Sequence, residues 1–126
     1  MKISDQDLEK LLLKSFDLLD KTKDTCKITI SQCLQSNIAN QYLTNAVVKS
    51  CLETIDTADL LKTFITNRSP NINDGIHLIL KVFDVNIDEC KKLSNEKACK
   101  EMINYCIGML KETKKTIQKL HDVVKE

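Results

Sequence analysis

The segment ACKEMINYCIGML, residues 98–110, alternates cysteine with methionine at helical spacing. Its sulfur residues are three, four and three positions apart: Cys99, Met102, Cys106 and Met109. This spacing places them along one face of an α-helix. Thiolate and thioether sulfurs are soft donors that favour Cu(I) over harder ions. Because cysteine and methionine also fill hydrophobic cores, the face can be interpreted either as a set of metal ligands or as core packing.

The chain carries six cysteines in 126 residues. That density is below that of a small disulfide scaffold. The spacings also lack the close cysteine pairs that are typical of zinc ribbons. We therefore expect free thiols, which persist in a reducing compartment, and we predict a cytoplasmic protein.

Charge and hydropathy exclude several classes of partner. The 19 basic and 18 acidic residues leave a net charge of +1, which does not attract the chain to nucleic acid. No apolar run is long enough for a membrane span. The first residues, MKISDQDLEK, are acidic where a signal peptide needs an apolar segment. We expect neither nucleic acid nor membrane as a partner.

Helices are predicted along nearly the whole chain, because it contains only two glycines and one proline. Polar breaks occur at QSNIAN, NRSPNINDG and KKLSNEK. We predict a single domain over residues 1–126, with helices over roughly 5–35, 40–66, 70–92 and 95–122. Short connections between such helices favour an all-α fold, an antiparallel up-down-up-down four-helix bundle.

Residues at alternating spacings of three and four predict the inward face of each helix. Several polar residues fall on these faces, and burying them without partners costs roughly 1–3 kcal/mol each. They therefore indicate internal hydrogen bonds, water or an ion. The four predicted faces are Leu12, Phe16, Leu19, Lys23, Cys26, Ile30 and Cys33; Ser50, Thr54, Thr57, Leu61 and Phe64; Ile76, Ile79, Phe83, Asn86 and Cys90; and Cys99, Met102, Cys106, Met109 and Thr113.

The antiparallel topology brings all six cysteines into one half of the bundle, which we call the cysteine half. Cys33, Cys90 and Cys99 are predicted to lie nearest its end. The other sulfur residues lie about 10–16 Å deeper at about 1.5 Å per residue: Cys26, Cys51, Met102 and Cys106. On this interpretation, the test of a metal site is whether the three cysteines nearest the end bring their sulfur atoms within reach of one another.

Two stretches resemble the cysteine-rich four-helix-bundle copper-storage proteins, in which cysteine thiolates line a tube that holds many Cu(I) ions. TADLLKTFITNRSP resembles the family's CADIC stretch, apolar run and Ser-containing turn. NIDECKKLSNEKACKEMINYCIGML resembles its CAEEC, short polar turn and CxxCxxxCxxC continuation. The resemblance covers most of the chain, and it implies a four-helix bundle whose sulfur residues point inward.

Position by position, the family's thiols fall on five cysteines here: Cys26, Cys33, Cys90, Cys99 and Cys106. The other thiol positions hold different residues: Thr54, Thr57, Leu61, Ile76, Ile79, Phe83, Asn86, Met102 and Met109. With fewer thiols, the resemblance implies binding of one or a few Cu(I) or other soft metal ions. The candidate metal ligands are Cys26, Cys33, Cys51, Cys90, Cys99, Cys106, Met102 and Met109.

Several alternatives remain open. The principal one is a metal-free helical module for oligomerisation or protein interaction, with cysteines as core filler, and a homo-oligomer would suit that function. A redox-responsive protein, a Zn²⁺ site of three or four thiols, and a histidine metal site are weaker alternatives. A Cys–His catalytic pair is not expected, because His77 and His121 are predicted far from the cysteines. We therefore do not predict an enzyme.

Overall fold

A computed structural model describes residues 3–35 and 41–124 of the chain. It contains four helices: α1 (Asp5–Gln35), α2 (Gln41–Thr66), α3 (Ile72–Leu93) and α4 (Lys100–Val124). No residue in these two ranges forms a β-strand, so the predicted all-α four-helix fold class is confirmed. None of the described helices combines the length and the apolar character that a membrane crossing requires.

Local hydrogen bonds define where the helices begin and end. The Ser4 hydroxyl accepts a hydrogen bond from the Asp7 backbone amide over 3.1 Å, which caps the start of α1. After α3, the Ser94 hydroxyl donates to the Lys91 carbonyl over 2.7 Å. Residues 94–99 form turns, so α4 begins at Lys100 rather than near residue 95. The predicted start of the second helix at residue 40 lies outside the described residues.

Each helix packs against two neighbours: α1 and α3 both contact α2 and α4. Ion pairs join α1 to α2 in opposite order along the two helices, Asp20 with Lys62 and Lys23 with Asp59. Opposite order is the pattern that antiparallel neighbours produce, so these contacts are consistent with the predicted up-down-up-down arrangement. These ion pairs lie at the edge of the bundle, and the inward faces of the helices form its interior.

The buried face of α4 differs by one residue from the predicted face. Cys106 and Thr113 are buried as expected, but Ile103 and Leu110 are fully buried between and beside them. Met102 and Met109, predicted to point inward, are only half-buried. The inward face therefore consists of Cys99, Ile103, Cys106, Leu110 and Thr113. Its spacings alternate four and three, whereas those of the predicted face alternate three and four. The prediction was wrong here because a branched aliphatic residue follows each methionine and takes the core position.

On α1 the inward positions shift by one residue in the opposite direction, toward the start of the helix. Ser15, Thr22 and Thr29 are fully buried at positions that the sequence pattern assigned to Phe16, Lys23 and Ile30. Those three predicted residues are only half-buried. Each buried hydroxyl donates to the carbonyl one turn earlier in its own helix, over 2.8 Å in all three cases. A small side chain that satisfies itself in this way can occupy a core at little cost.

The other two helices follow the predicted faces more closely. All five predicted residues of α3 are buried. On α2 the predicted polar residues and Leu61 are buried, but Ile65 takes the core position that had been assigned to Phe64. Phe64 instead packs against the start of α3, where an added side-chain carbon on Gly75 would come within 2.9 Å of its ring.

A matched pair of substitutions tests the rotation of α4. We expect Leu110→Ala to lower the free energy of unfolding by about 2–5 kcal/mol, because it removes a fully buried side chain. Met109→Ala should cost clearly less, since Met109 is half-buried. Urea denaturation followed by circular dichroism measures both. A larger loss for Met109→Ala would contradict the observed inward face.

Candidate metal centre

Three cysteines from three helices meet in the core and form what we call the thiol triad. They are Cys26 of α1, Cys51 of α2 and Cys106 of α4, and their Sγ atoms all lie within 4.8 Å of one another. All three side chains are 0% exposed, and none forms a disulfide. Elsewhere in residues 3–35 and 41–124, no other group of three or more cysteine, histidine or acidic residues brings its donor atoms this close.

The inward faces of three helices bring the triad together. Cys26 lies seven residues after Leu19, so it occupies the same inward position two turns further along α1. Cys106 lies between the buried residues Ile103 and Leu110 on α4. Because the surrounding aliphatic side chains fix how each helix faces the core, the thiols have no other direction in which to point.

Beside the triad, α3 contributes the side-chain amide of Asn86. Asn86 is fully buried, and its Nδ2 donates to the Thr54 hydroxyl over 2.9 Å. The same nitrogen lies 3.7 Å from Cys51 Sγ and 4.0 Å from Cys26 Sγ. Cys90 Sγ donates to Asn86 Oδ1 over 3.3 Å. An amide hydrogen that faces sulfur stabilises negative charge on a thiolate.

The thiols are electrostatically unequal. The neighbouring thiols of Cys26, then of Cys51 and Cys90, lower the pKa of the Cys106 thiol below its ordinary value. The contact with Cys106 is the largest cause that raises the pKa of Cys26, of Cys90 and of Cys51, the last to about 12. A metal ion that binds here would displace the protons of these thiols.

The three cysteines nearest the end of the bundle do not form a second triad. Cys90 is directed at Asn86 and Cys106, as described above. Cys99 lies in the turn before α4 and donates weakly to the Glu96 carbonyl over 3.9 Å. Cys33 is buried near the end of α1. The test posed from the sequence therefore fails for these three residues. The thiols that meet lie deeper in the bundle, whereas Cys99, although buried, lies in the turn before α4.

The two methionines are less buried than the triad. Met109 Sδ lies 3.7 Å from the Thr113 hydroxyl oxygen. Met102 lies beside Cys99 in a surface groove. Both methionine side chains are half-buried, and their role as additional metal ligands stays a prediction.

Sequence reasoning recognised Asn86, Thr54, Thr57 and Thr113 as inward polar residues but missed Ser15, Thr22 and Thr29 of α1. Thr29 donates a hydrogen bond within α1 and also interacts with Cys106, which lowers the pKa of that thiol. Thr22 and Thr113 are hydrogen-bonded to each other over 2.8 Å between α1 and α4. The seven-residue repeat of Ser15, Thr22 and Thr29 was the available signal, since small hydroxyl residues at heptad spacing mark one inward position.

Comparisons with known proteins return no match: no protein-family model, no curated protein and no solved structure matches the chain. The resemblance to copper-storage proteins thus stays a prediction that rests on the two quoted stretches. The function is argued below from the geometry of the triad and its neighbours.

Burial of Cys33 makes stability depend on pH. Burial, followed by the nearby Cys99 and Cys106, raises the pKa of Cys33 to about 11 from its ordinary 9.0. The unfolded chain releases this proton at a lower pH than the folded chain does. The contribution to stability is therefore complete below pH 9 and is lost as the pH rises through 11.

The matched variant is Cys33→Ala, which removes the titrating group. We expect the difference in free energy of unfolding between the unaltered protein and this variant to shrink by about 2 kcal/mol between pH 8 and pH 11. Urea denaturation under reducing, metal-free conditions measures it. A difference that stays constant or grows with pH would contradict the raised pKa of Cys33.

Proposed function

We propose that this protein binds a soft metal ion, with Cu(I) preferred, through the thiolates of Cys26, Cys51 and Cys106. The observation that carries the proposal is the convergence of three fully buried sulfur atoms, one from each of three helices, within 4.8 Å. Binding rather than catalysis is the proposed activity. A cytoplasmic setting fits it, because free thiols persist there.

The spacing of the sulfur atoms supports coordination of one ion. Metal–sulfur bonds of about 2.3 Å place the sulfurs of a trigonal site about 4.0 Å apart. The triad lies within 4.8 Å, so closure on an ion needs a contraction of less than about 1 Å. Small changes in the cysteine side-chain torsions can supply such a contraction without moving the helices.

The type and number of donors support Cu(I) over other ions. All three donors are soft sulfur atoms, which select Cu(I) and related ions over hard cations. A structural Zn²⁺ site normally takes four ligands, whereas three thiols have their sulfur atoms mutually in reach here. The resemblance of the chain to copper-storage proteins supports the same ion.

The buried negative charge of a thiolate site needs compensation, and the surrounding polar residues offer it. Asn86 presents its amide hydrogen to Cys51 and Cys26. The Thr29 hydroxyl, which donates to the Thr25 carbonyl, would turn to donate to a Cys106 thiolate. Hydrogen bonds to ligating sulfur atoms orient them and adjust their affinity for metal. In a bundle without metal, this set of polar groups would contribute less to stability than aliphatic packing would.

Copper binding can be tested by anaerobic titration with Cu(I) against a competing chelator. We expect the reduced protein to retain one Cu(I) per chain at the triad, and Cys106→Ser to weaken that binding at least about tenfold. Cys99→Ser is the matched control, because Cys99 is also buried but lies outside the triad. It should bind nearly as tightly as the unaltered protein.

Two outcomes would contradict this proposal. If the unaltered protein retains no Cu(I), the metal-free bundle with cysteines as core filler is the better account. If Cys99→Ser and Cys106→Ser lose equal affinity, the ion binds elsewhere in the cysteine half.

The role of the amide is tested by Asn86→Leu, which keeps the approximate size of the side chain and removes its hydrogen bonds. We expect about a 10–100-fold loss of Cu(I) affinity, since Asn86 supports the ligating thiols without itself being a soft donor. Asn104→Leu, at an exposed position of α4, is the matched control and should change nothing. Equal affinity in both variants would show that the amide only fills space.

A further inference from the structure

A second cluster of metal-ligating side chains lies at the other end of the bundle. His77, near the start of α3, and His121, near the end of α4, bring their Nε2 atoms to 3.3 Å. Their rings meet edge to face, with centroids 4.6 Å apart. His121 follows Cys106 by 15 residues, about 22 Å along α4 at about 1.5 Å per residue. The pair is therefore separate from the thiol triad.

A hydrogen bond between the two rings leaves one buried ring nitrogen without a hydrogen-bond partner in the described part of the chain. In neutral imidazoles one Nε2 must donate and the other accept. Whichever ring donates, His121 Nδ1 is left as a buried polar atom without a hydrogen-bond partner among the described residues. An unpaired buried polar atom costs about 1–3 kcal/mol. The arrangement is thus more costly than an ordinary surface contact between two histidines.

The spacing of the two nitrogens suits adjacent ligands of one metal ion. Zinc–nitrogen bonds of about 2.0–2.1 Å in a tetrahedral site place two ligand nitrogens about 3.3–3.4 Å apart. The observed Nε2–Nε2 separation of 3.3 Å matches that of two adjacent zinc ligands. His77 is exposed, which leaves a path for the ion and room for water in the remaining positions.

Two polar groups accompany the histidine pair on the same two helices. His121 Nδ1 lies 3.8 Å from an Asp122 carboxylate oxygen. This separation is too long for a hydrogen bond, but a carboxylate that moves closer to the second nitrogen of a ligating histidine orients its ring. Asn73, one helical turn before His77, has a buried side-chain oxygen with no hydrogen-bond partner in the part of the chain that the structure describes.

We propose that His77 and His121 together bind a divalent cation of borderline softness, such as Zn²⁺, through their Nε2 atoms, with water in the remaining positions. Imidazole nitrogen favours this class of ion, whereas the thiol triad favours Cu(I). The two ends of the bundle then hold ions of different chemistry. The histidine site joins α3 to α4 and does not depend on whether the triad binds copper.

Nuclear magnetic resonance of the imidazole rings tests this proposal, because the chain contains only two histidines. Zn²⁺ alone is titrated into the reduced full chain. We expect the ring signals of His77 and His121 to shift together and to saturate at one ion per pair. In His77→Gln the shift of His121 should require at least about tenfold more Zn²⁺. In Cys106→Ser both ring signals should respond as in the unaltered protein, which separates this site from the thiols.

Either of two results would overturn the proposal. The ring signals could stay unchanged while Zn²⁺ is taken up by the thiols, or each ring could respond with the same affinity after the other is replaced. Because His77 is exposed, His77→Gln is expected to fold, and circular dichroism checks this. The reciprocal variant His121→Gln gives a second, independent measurement on the His77 ring.

Discussion

The hydrogen bonds of Asn86 are the constraint on which the cysteine half depends. A fully buried amide must find partners, because leaving it unpaired costs more than most single core contacts contribute. It donates to Thr54 and accepts from Cys90, while its amide nitrogen also faces two thiols of the triad. Three helices are thereby oriented around one side chain. An aliphatic residue here would remove the amide that donates to Thr54 and the amide hydrogen that faces the two thiols.

Small hydroxyl residues allow the rest of this interior to be polar. Ser15, Thr22 and Thr29 return their hydrogen bonds to their own helix, so they occupy the core without requiring a partner from another helix. The Thr22–Thr113 contact adds a link between α1 and α4. Toward the other end, leucine and isoleucine occupy much of the inward faces, but Ser15, Thr57 and Thr116 are also buried there. The bundle is thus divided along its length into a half that holds the thiols and a half without them, and the histidine pair lies at the end of the half without thiols.

This division explains which parts of the candidate site could be predicted. The convergence of six cysteines on one half follows from their sequence positions and from short connections between helices, and both are readable without a structure. The choice of triad is different. Cys99, Cys106 and Thr113 are each seven residues apart, so they fit an inward face whether the residue between them is methionine or the following isoleucine and leucine. The sequence pattern placed the two methionines on the inward face, but in the structure Ile103 and Leu110 occupy those core positions.

By itself the sequence determined the number of helices, the approximate positions of the turns, and the half of the bundle that holds the thiols. Those features depend on local propensity and on the order of residues along the chain. Only the tertiary structure decided the rotation of α1 and α4, the selection of Cys26, Cys51 and Cys106 as the cysteines that meet, and the contact between His77 and His121. These depend on how the side chains of neighbouring helices interlock. A change of one residue in the inward position, from Met102 to Ile103 or from Met109 to Leu110, decides whether a sulfur atom or an aliphatic side chain faces the axis.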